Sequence, residues 1–193
     1  FSAPDNFNGS ESFTATVTDG EFTSSQTFTV TVNAVNDAPA LAAVDAVSFA
    51  EDASTSIALS GSDVDGDNLI YSISEGTDIT ATLNGSTLSF TAAQDFNGSE
   101  SFTASVSDGE YTSSQTFTVT VTAVNDAPAL AVVDAVSFAE DASTSIALSG
   151  SDVDGDDLTY SISEGTDITA TLNGSTLSFT AAQDFNGSES FTA

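Results

Sequence analysis

A heptapeptide occurs twice in this chain, Ala34-Val35-Asn36-Asp37-Ala38-Pro39-Ala40 and Ala123-Val124-Asn125-Asp126-Ala127-Pro128-Ala129, and the 89 positions between Pro39 and Pro128 set the period of nearly everything else. Residues 39–104 and 128–193 differ only at Ala43/Val132, Asn68/Asp157 and Ile70/Thr159. Residues 1–38 match 90–127 apart from eight positions, most of them conservative, such as Phe22/Tyr111. A period of this length suits a small domain with its own core and is too long for a solenoid turn. On this reading the chain holds the C-terminal part of one repeat (1–38), a complete repeat (39–127) and the N-terminal part of a third (128–193). Each heptapeptide is a seam. Its proline removes a backbone donor and holds the preceding residue extended, so the connection is stiff, and it carries an amide and a carboxylate.

Within the complete repeat the apolar residues alternate with Ser and Thr in short runs punctuated by Gly, Asn and Asp. Val47-Phe49 begins the pattern, followed by Ile57 with Leu59, then Leu69, Tyr71 and Ile73, then Ile79, Ala81 and Leu83. After Asn84-Gly85 come Leu88 with Phe90, then Phe102, Ala104 and Val106, and last Phe117, Val119 and Val121. A period of two with one apolar and one hydroxylated face predicts seven strands in an antiparallel two-sheet sandwich. The fold class is therefore all-β, as tandem seven-stranded Greek-key sandwiches of the Ig or cadherin type. Asn84-Gly85 is expected to make a tight hairpin turn, since both residues tolerate positive φ.

Composition narrows the function classes. The chain has no Lys, Arg, His, Cys, Met or Trp, and its 29 acidic residues give a formal net charge of −29. Without His, Cys or Lys, most general-base, thiol and Schiff-base chemistry is absent, and an enzyme is not expected. Nucleic acid is excluded as a partner, because phosphate binding needs Lys or Arg to release counterions. Anionic lipid surfaces are disfavoured for the same reason, and no apolar run approaches the roughly 18–20 residues that span a bilayer. So acidic a chain repels itself unless counterions gather, which makes a divalent cation the expected partner.

The acidic loops carry the most chemistry. Twenty-four residues beyond each proline stand Asp63-Val64-Asp65-Gly66-Asp67 and Asp152-Val153-Asp154-Gly155-Asp156. Their carboxylates repel one another unless solvated or bound to a hard cation, and calcium takes roughly six to eight oxygens at about 2.3–2.6 Å. An EF-hand does not fit: glycine falls at loop position 4 where the motif needs 6, and position 12 is Ser74 where it needs a bidentate Glu. The plain alternative is a solvated acidic turn between strands. Five Asn-Gly-Ser triplets, at Asn8, Asn84, Asn97, Asn173 and Asn186, are glycosylation sequons in form, but turn chemistry accounts for them. The phenylalanines preceding the second kind of Asn-Gly, Phe7, Phe96 and Phe185, are expected to plug one end of the core.

These residues resemble the cadherin-like repeats of large bacterial surface adhesins. The marks are Glu51 late in the first strand, Asp63-x-Asp65 after the second, Leu69-Ile70-Tyr71 on the third, Asp95-Phe96-Asn97 before the sixth, Asp108-Gly109 closing it, and Asn125-Asp126-Ala127-Pro128 as linker. The resemblance implies calcium between consecutive repeats, held by the Glu and Asp-x-Asn segment of one, the linker, and the Asp-x-Asp pair and late Asp of the next. Carried across, the first joint would use Asn6, Asn8, Asn36, Asp37, Asp63, Asp65 and Asp108. The second would use Glu51, Asp95, Asn97, Asn125, Asp126, Asp152 and Asp154. Animal cadherin linkers begin with Asp and end with Asn where this chain has Ala34 and Ala38, or Ala123 and Ala127, so one or two ions per joint are expected rather than three.

Near-identical units multiply length, and no unit bears a distinctive site. The functional expectation is therefore a calcium-stiffened extender in a long secreted adhesin or surface filament, located at the cell surface or outside the cell. Its partners would be calcium, the neighbouring repeats and like chains in a filament. The alternative is a glycan- or protein-binding module using Tyr71, Tyr111 or Tyr160, although there is no Trp to build a sugar platform. Residues 128–193 lack most of the sixth strand and all of the seventh, while residues 1–38 contain just those strands. Either covalent continuation in a longer polypeptide supplies them, or the leading strands of another copy do.

Overall fold

The computed structural model describes residues 1–193, all of whose regular structure is β. Two compact units divide it, residues 1–123 and 124–193.

The first unit opens with a hairpin, β1 (Gly9–Thr18) and β2 (Thr23–Val32), paired antiparallel along its whole length. Then follow β3 (Ala40–Leu41), β4 (Val47–Ala50), β5 (Ser54–Ala58), β6 (Gly61–Ser62), β7 (Ile70–Ile73), β8 (Ile79–Asn84), β9 (Thr87–Ala92), β10 (Gly98–Ser107) and β11 (Thr112–Thr122). One sheet has the order β4-β11-β10-β7 and the other β5-β9-β8, with β3 and β6 as a two-residue pair beside them. The seven expected strands are β4, β5 and β7 to β11. The β3–β6 pair was not expected, because two residues are too few to show a period.

Three local expectations are corrected. The sandwich is not wholly antiparallel: β4 pairs with β11 in parallel, Val47 opposite Val119 and Phe49 opposite Val121. Seven strands that alternate in direction bring the first and the last to the same heading. Leu59 and Leu69 stand just outside β5 and β7, although both pack on the core. At the hairpin between β8 and β9, Asn84 still pairs with Thr87, so the loop is Gly85-Ser86, and Gly85 alone takes a positive φ of 63°.

The two sheets meet through their alternate apolar residues. Ile79, Leu88 and Phe90 from one sheet and Phe102, Val106, Phe117 and Val119 from the other are buried. Phe90 packs edge-on against Phe102 and Phe117, at centroid separations of 5.4 and 6.0 Å, a geometry favoured by aromatic quadrupoles. On the outer face of β10 and β11, hydroxyls pair across the strands: Ser99 with Thr120 at 2.9 Å, Thr103 with Thr116 at 3.2 Å and Ser105 with Ser114 at 2.8 Å. The apolar-in, hydroxyl-out alternation of the sequence is thus the two faces of this sheet.

The second unit repeats part of this plan with β12 (Ala129–Leu130), β13 (Ser143–Ala147), β14 (Gly150–Ser151), β15 (Ile168–Asn173) and β16 (Thr176–Ala181). Its sheet β13-β16-β15 copies β5-β9-β8, and β12–β14 copies β3–β6. Residues 136–139 and 159–162, the counterparts of β4 and β7, form no strand. In the first unit those strands pair with β11 and β10. Residues 124–193 contain no counterpart of β11 but do contain counterparts of the first seven of the ten residues of β10, at 187–193, so they lack the last three residues of the sixth strand and not, as expected, most of it.

A carboxylate ties the sheets together at a place the alternation does not reveal. Glu100 on β10 accepts N–H groups from Thr77 (3.0 Å), Asp78 (2.8 Å) and Ile79 (3.4 Å), fastening the segment that leads into β8. Glu189 does the same for Thr166, Asp167 and Ile168 in the second unit. Gly76 makes room for this clamp, since a β-carbon there would stand 2.6 Å from Glu100 Oε2 and 2.7 Å from the Phe102 ring. The amide of Asp78 above all, with those of Thr77 and Ile79, holds the Glu100 carboxyl below its ordinary value of 4.5 against the opposing pull of desolvation. A carboxyl lowered in the folded state adds stability above pH 4.5 that is lost as pH falls through the lowered value. Glu100→Gln is therefore expected to destabilise the first unit at pH 7 by about 1–2 kcal/mol, the lower range for charged hydrogen bonds because the group is part-exposed. Urea unfolding at a series of pH values checks this: the gap from the parent chain should close below pH 4.5.

Candidate functional site

The register of the first unit sorts the acidic residues into two sets. Ser107 pairs with both Thr112 and Ile70, so the turn after β10 and the loop before β7 lie at one end of their sheet. That end carries Asp108, Asp63 and Asp65. At the other end, Ala50 pairs with Thr122 and Gly98 with Val121, which places Glu51 and the segment Asp95-Phe96-Asn97 together there.

At the first end the seam folds back onto the sandwich. The Asn36 side-chain amide donates to Asp108 Oδ2 at 2.9 Å, and the Asp37 backbone N–H donates to Asp65 Oδ2 at 2.8 Å. The acidic loop is shaped from within, as Asp63 Oδ1 accepts the N–H groups of Asp65 (2.9 Å), Gly66 (3.1 Å) and Asp67 (3.3 Å). Gly66 sits at a φ of +81°, which favours glycine, and this is what lets three successive amides face one carboxylate oxygen. The other oxygen, Asp63 Oδ2, is shut off from solvent and has no hydrogen-bond partner. Desolvation pushes the Asp108 carboxyl up, but the amides of Tyr111 and Glu110 and the Asn36 side chain outweigh it and hold it below its ordinary range.

The second unit repeats the first half of this arrangement. The Asp126 N–H donates to Asp154 Oδ2 at 2.7 Å, and Asp152 Oδ1 accepts from Asp154 (3.0 Å) and Asp156 (3.2 Å). Asn125 differs from Asn36, because its side chain turns back onto the Asp126 carbonyl at 2.8 Å. Residues 124–193 hold no counterpart of Asp108 for it to reach.

At the opposite end of the first unit, Glu51 lies just past β4 rather than within a strand, its N–H donated to the Thr122 carbonyl at 3.0 Å. A turn begins here, with Asp52 at a φ of 56°, and it leaves Glu51 only 4% exposed, the one buried charged residue of the chain. Asp95 also adopts a left-handed φ of 56°, and so does Asn6, its counterpart in the leading fragment, at 61°. Asx residues tolerate this conformation better than other side chains, which explains their recurrence at that position. Phe96 packs against the core, whereas Phe7 before β1 is 38% exposed.

Two side chains that fix these ends escaped sequence reasoning. Glu100 is one. Gln115 is the other: its Nε2 donates to the Leu41 carbonyl at 2.9 Å and its Oε1 accepts from Val44 N–H at 3.1 Å, anchoring the segment that follows the seam. The signal available was a single long polar side chain within each Ser/Thr-rich strand, Glu on β10 and Gln on β11.

A sequence profile of the bacterial Ig domain matches residues 36–122 and again residues 125–193. The chain belongs to the bacterial Ig domain family. Both matches start within the seam heptapeptide, so Asn36 and Asn125 fall near the start of a bacterial Ig repeat. Solved structures similar to this chain include human protocadherin-24 EC1-2 (Form II), 18% identical over 76% of this chain and 81% of that one, with a TM-score of 0.48. Also similar are the endo-fucoidan hydrolase MfFcnA4 from glycoside hydrolase family 107, at 16% identity, 92% of this chain and a TM-score of 0.40, and surface layer protein SbsC, domains 1-6, at 20%, 91% and 0.38. This chain spans 30% of the length of that hydrolase and 25% of that surface layer protein chain. Comparison with curated proteins finds no match.

The loop geometry makes Asp63 the keystone of its end. Asp63→Ala is expected to speed backbone amide exchange at Asp65, Gly66 and Asp67 by at least tenfold while β10 and β11 keep their protection. Hydrogen exchange read residue by residue by NMR makes the comparison.

Proposed function

We propose that this chain is a calcium-stiffened extender segment of a long extracellular bacterial adhesin or surface filament. The observation that carries the reading is Asp63 Oδ2, a carboxylate oxygen out of solvent and without a hydrogen-bond partner, in a chain with no Lys, Arg or His. A buried carboxylate oxygen left unpaired is costly, and no basic side chain is present to meet it. A hard divalent cation fits such an oxygen, and the donors around it, carboxylates and an Asn side chain, are of the type calcium prefers.

In this proposal Asn36, Asp37, Asp63, Asp65 and Asp108 hold the ion at the start of the complete repeat. Glu51, Asp95 and Asn97 act with Asn125, Asp126, Asp152 and Asp154 at the next seam. Calcium supplies positive charge against carboxylates that otherwise repel by about 1 kcal/mol per close pair even in water-like surroundings. The chain's own contribution is to pre-set the acidic loop through the amides on Asp63 and to hold the seam against it through Asp37 and Asp65. Extracellular calcium modules bind at roughly 10⁻⁴–10⁻³ M. Calcium at 100 times Kd favours the bound form by about 2.7 kcal/mol per site. Ligands drawn from consecutive repeats turn that energy into resistance to bending. Tandem bacterial Ig repeats of nearly constant sequence serve such a spacer, because each added unit adds length and one more stiffened seam. One oxygen each of Asp63, Asp65 and Asp108 is engaged with backbone amides, which supports a structural rather than a catalytic role.

Titration calorimetry of the 193-residue chain tests the ligand assignment. Saturable calcium binding is expected, and the double variant Asp126→Ala/Asp154→Ala should lose at least one ion per chain while keeping its far-ultraviolet circular dichroism. No heat beyond dilution, or an unchanged stoichiometry in the variant, would overturn it.

A further inference from the structure

The inward-facing positions of β11 change character part-way along the strand. Phe117, Val119 and Val121 lie in the core, but Ser113 and Gln115, which continue the same alternation towards the start of the strand, are polar and half-buried. Both reach the segment that follows the seam. Ser113 Oγ donates to the carbonyl of Pro39, a fully buried residue with no N–H of its own. Gln115 donates from Nε2 to the Leu41 carbonyl at 2.9 Å and accepts at Oε1 from the Val44 N–H at 3.1 Å. The contact then passes to the backbone, where β4 pairs with β11 in parallel from Val47 opposite Val119 to Ala50 opposite Thr122. Beyond that pair the Glu51 N–H donates to the Thr122 carbonyl at 3.0 Å, and Thr122 Oγ1 donates to the Phe49 carbonyl at 3.3 Å.

Residues 39–51 and 113–122 therefore lie side by side with the same heading, fastened in the same order along both: 39 to 113, 41 and 44 to 115, 47–50 to 119–122. Residues 113–122, as extended chain, span about 30 Å at roughly 3.3 Å per residue. The complete repeat begins at one end of this paired length and finishes at the other. Tension on the chain thus pulls residues 39–51 towards the seam and β11 towards Thr122, in opposite senses along the pair. Bonds that cross the direction of pull are loaded together and must yield nearly together. Strands drawn apart from the same end would instead peel, breaking their bonds one at a time.

We propose that the complete repeat is built to bear tension along the chain, with Ser113 and Gln115 as a latch that extends the resistance of the β4–β11 pair over residues 39–44. This function is separate from the calcium reading, which concerns bending at the seams, and does not rest on it. Backbone pairing between β4 and β11 covers only Val47–Ala50. The β3–β6 pair and the Ala42 N–H on the Ser60 carbonyl tie residues 40–42 to a neighbouring segment. The latch ties them to β11, the strand that leaves the repeat at its far end, and so places them on the path the load takes. Apolar side chains at 113 and 115 would pack there but could not hold the backbone of the adjoining segment.

Constant-force unfolding of the 193-residue chain in an optical trap tests this, at pH 7 and in chelator so that calcium plays no part. The chain has no cysteine, so two introduced thiols define where the handles attach. Ala34→Cys with Ala123→Cys loads the pair in shear, whereas Ala34→Cys with Glu110→Cys draws both strands from the start of β11 and peels them. At equal force the peeled repeat is expected to unfold at least about tenfold faster, since a hydrogen bond of ordinary net strength is worth about fivefold in rate and peeling breaks such bonds singly. In the shear geometry Ser113→Ala/Gln115→Met should unfold at least about tenfold faster than the parent latch, having lost three such bonds. Forced unfolding follows the barrier rather than the equilibrium stability, so Glu100→Gln, which weakens the fold away from the load path, should stay within about twofold of the parent. The comparison of geometries leaves the latch intact and decides even where the latch variant does not fold. Equal rates in the two geometries overturn the proposal, as does a latch variant no faster than the parent or a Glu100→Gln chain as fast as the latch variant.

Discussion

Carboxylates in this chain have no cationic side chain to turn to. With 29 acidic residues and no Lys, Arg or His, each carboxylate faces water, an uncharged donor of the chain such as a backbone amide, or an ion from outside. The fold uses backbone amides at its critical points. Glu100 gathers those of Thr77, Asp78 and Ile79, Asp63 gathers those of Asp65, Gly66 and Asp67, and Asp65 takes that of Asp37. Charge-assisted hydrogen bonds of this kind are roughly twice as strong as neutral ones. They do the joining that salt bridges do elsewhere, and they act on the loops and the seam, where apolar packing is thin.

The same constraint shapes the surface. A polypeptide with a net charge of −29 repels itself unless counterions gather, yet the apolar alternation along β10 and β11 builds a core that needs both sheets. Where both are present, as in residues 39–123, thirteen hydrophobic residues are buried in one cluster. Where residues 124–193 lack the last strand, the cluster is Leu148, Leu177 and Phe179, and residues 136–139, identical in sequence to β4, have no strand partner.

Much of the fold was legible in the sequence, because a two-residue period in Ser/Thr-rich runs has one physical reading. The 89-residue repeat, the seven main strands and the hydroxylated outer face were all visible that way. The β3–β6 pair and the parallel β4–β11 pair were not, since neither has a length or composition signal of its own. The candidate site was legible as acidic segments that a sandwich brings to its two ends. Its internal hydrogen bonding was not, because the partners of Asp63 and Asp65 are backbone groups that leave no mark on residue identity. Glu51 was expected late in the first strand and lies one residue past it, since nothing in Phe49-Ala50-Glu51-Asp52 marks the reversal except the tolerance of Asp52 for a left-handed φ. Glu100 and Gln115 passed unread among hydroxyl residues, though they are the fasteners of the loop before β8 and of the segment after the seam.

The central claim is that calcium stiffens the seams between repeats. Small-angle scattering from a chain of three complete repeats, recorded in saturating calcium and then in chelator, tests it most directly. The account predicts a larger radius of gyration and the distance distribution of an extended rod in calcium, with contraction and a broadened distribution in chelator. Superimposable profiles in the two conditions would contradict it.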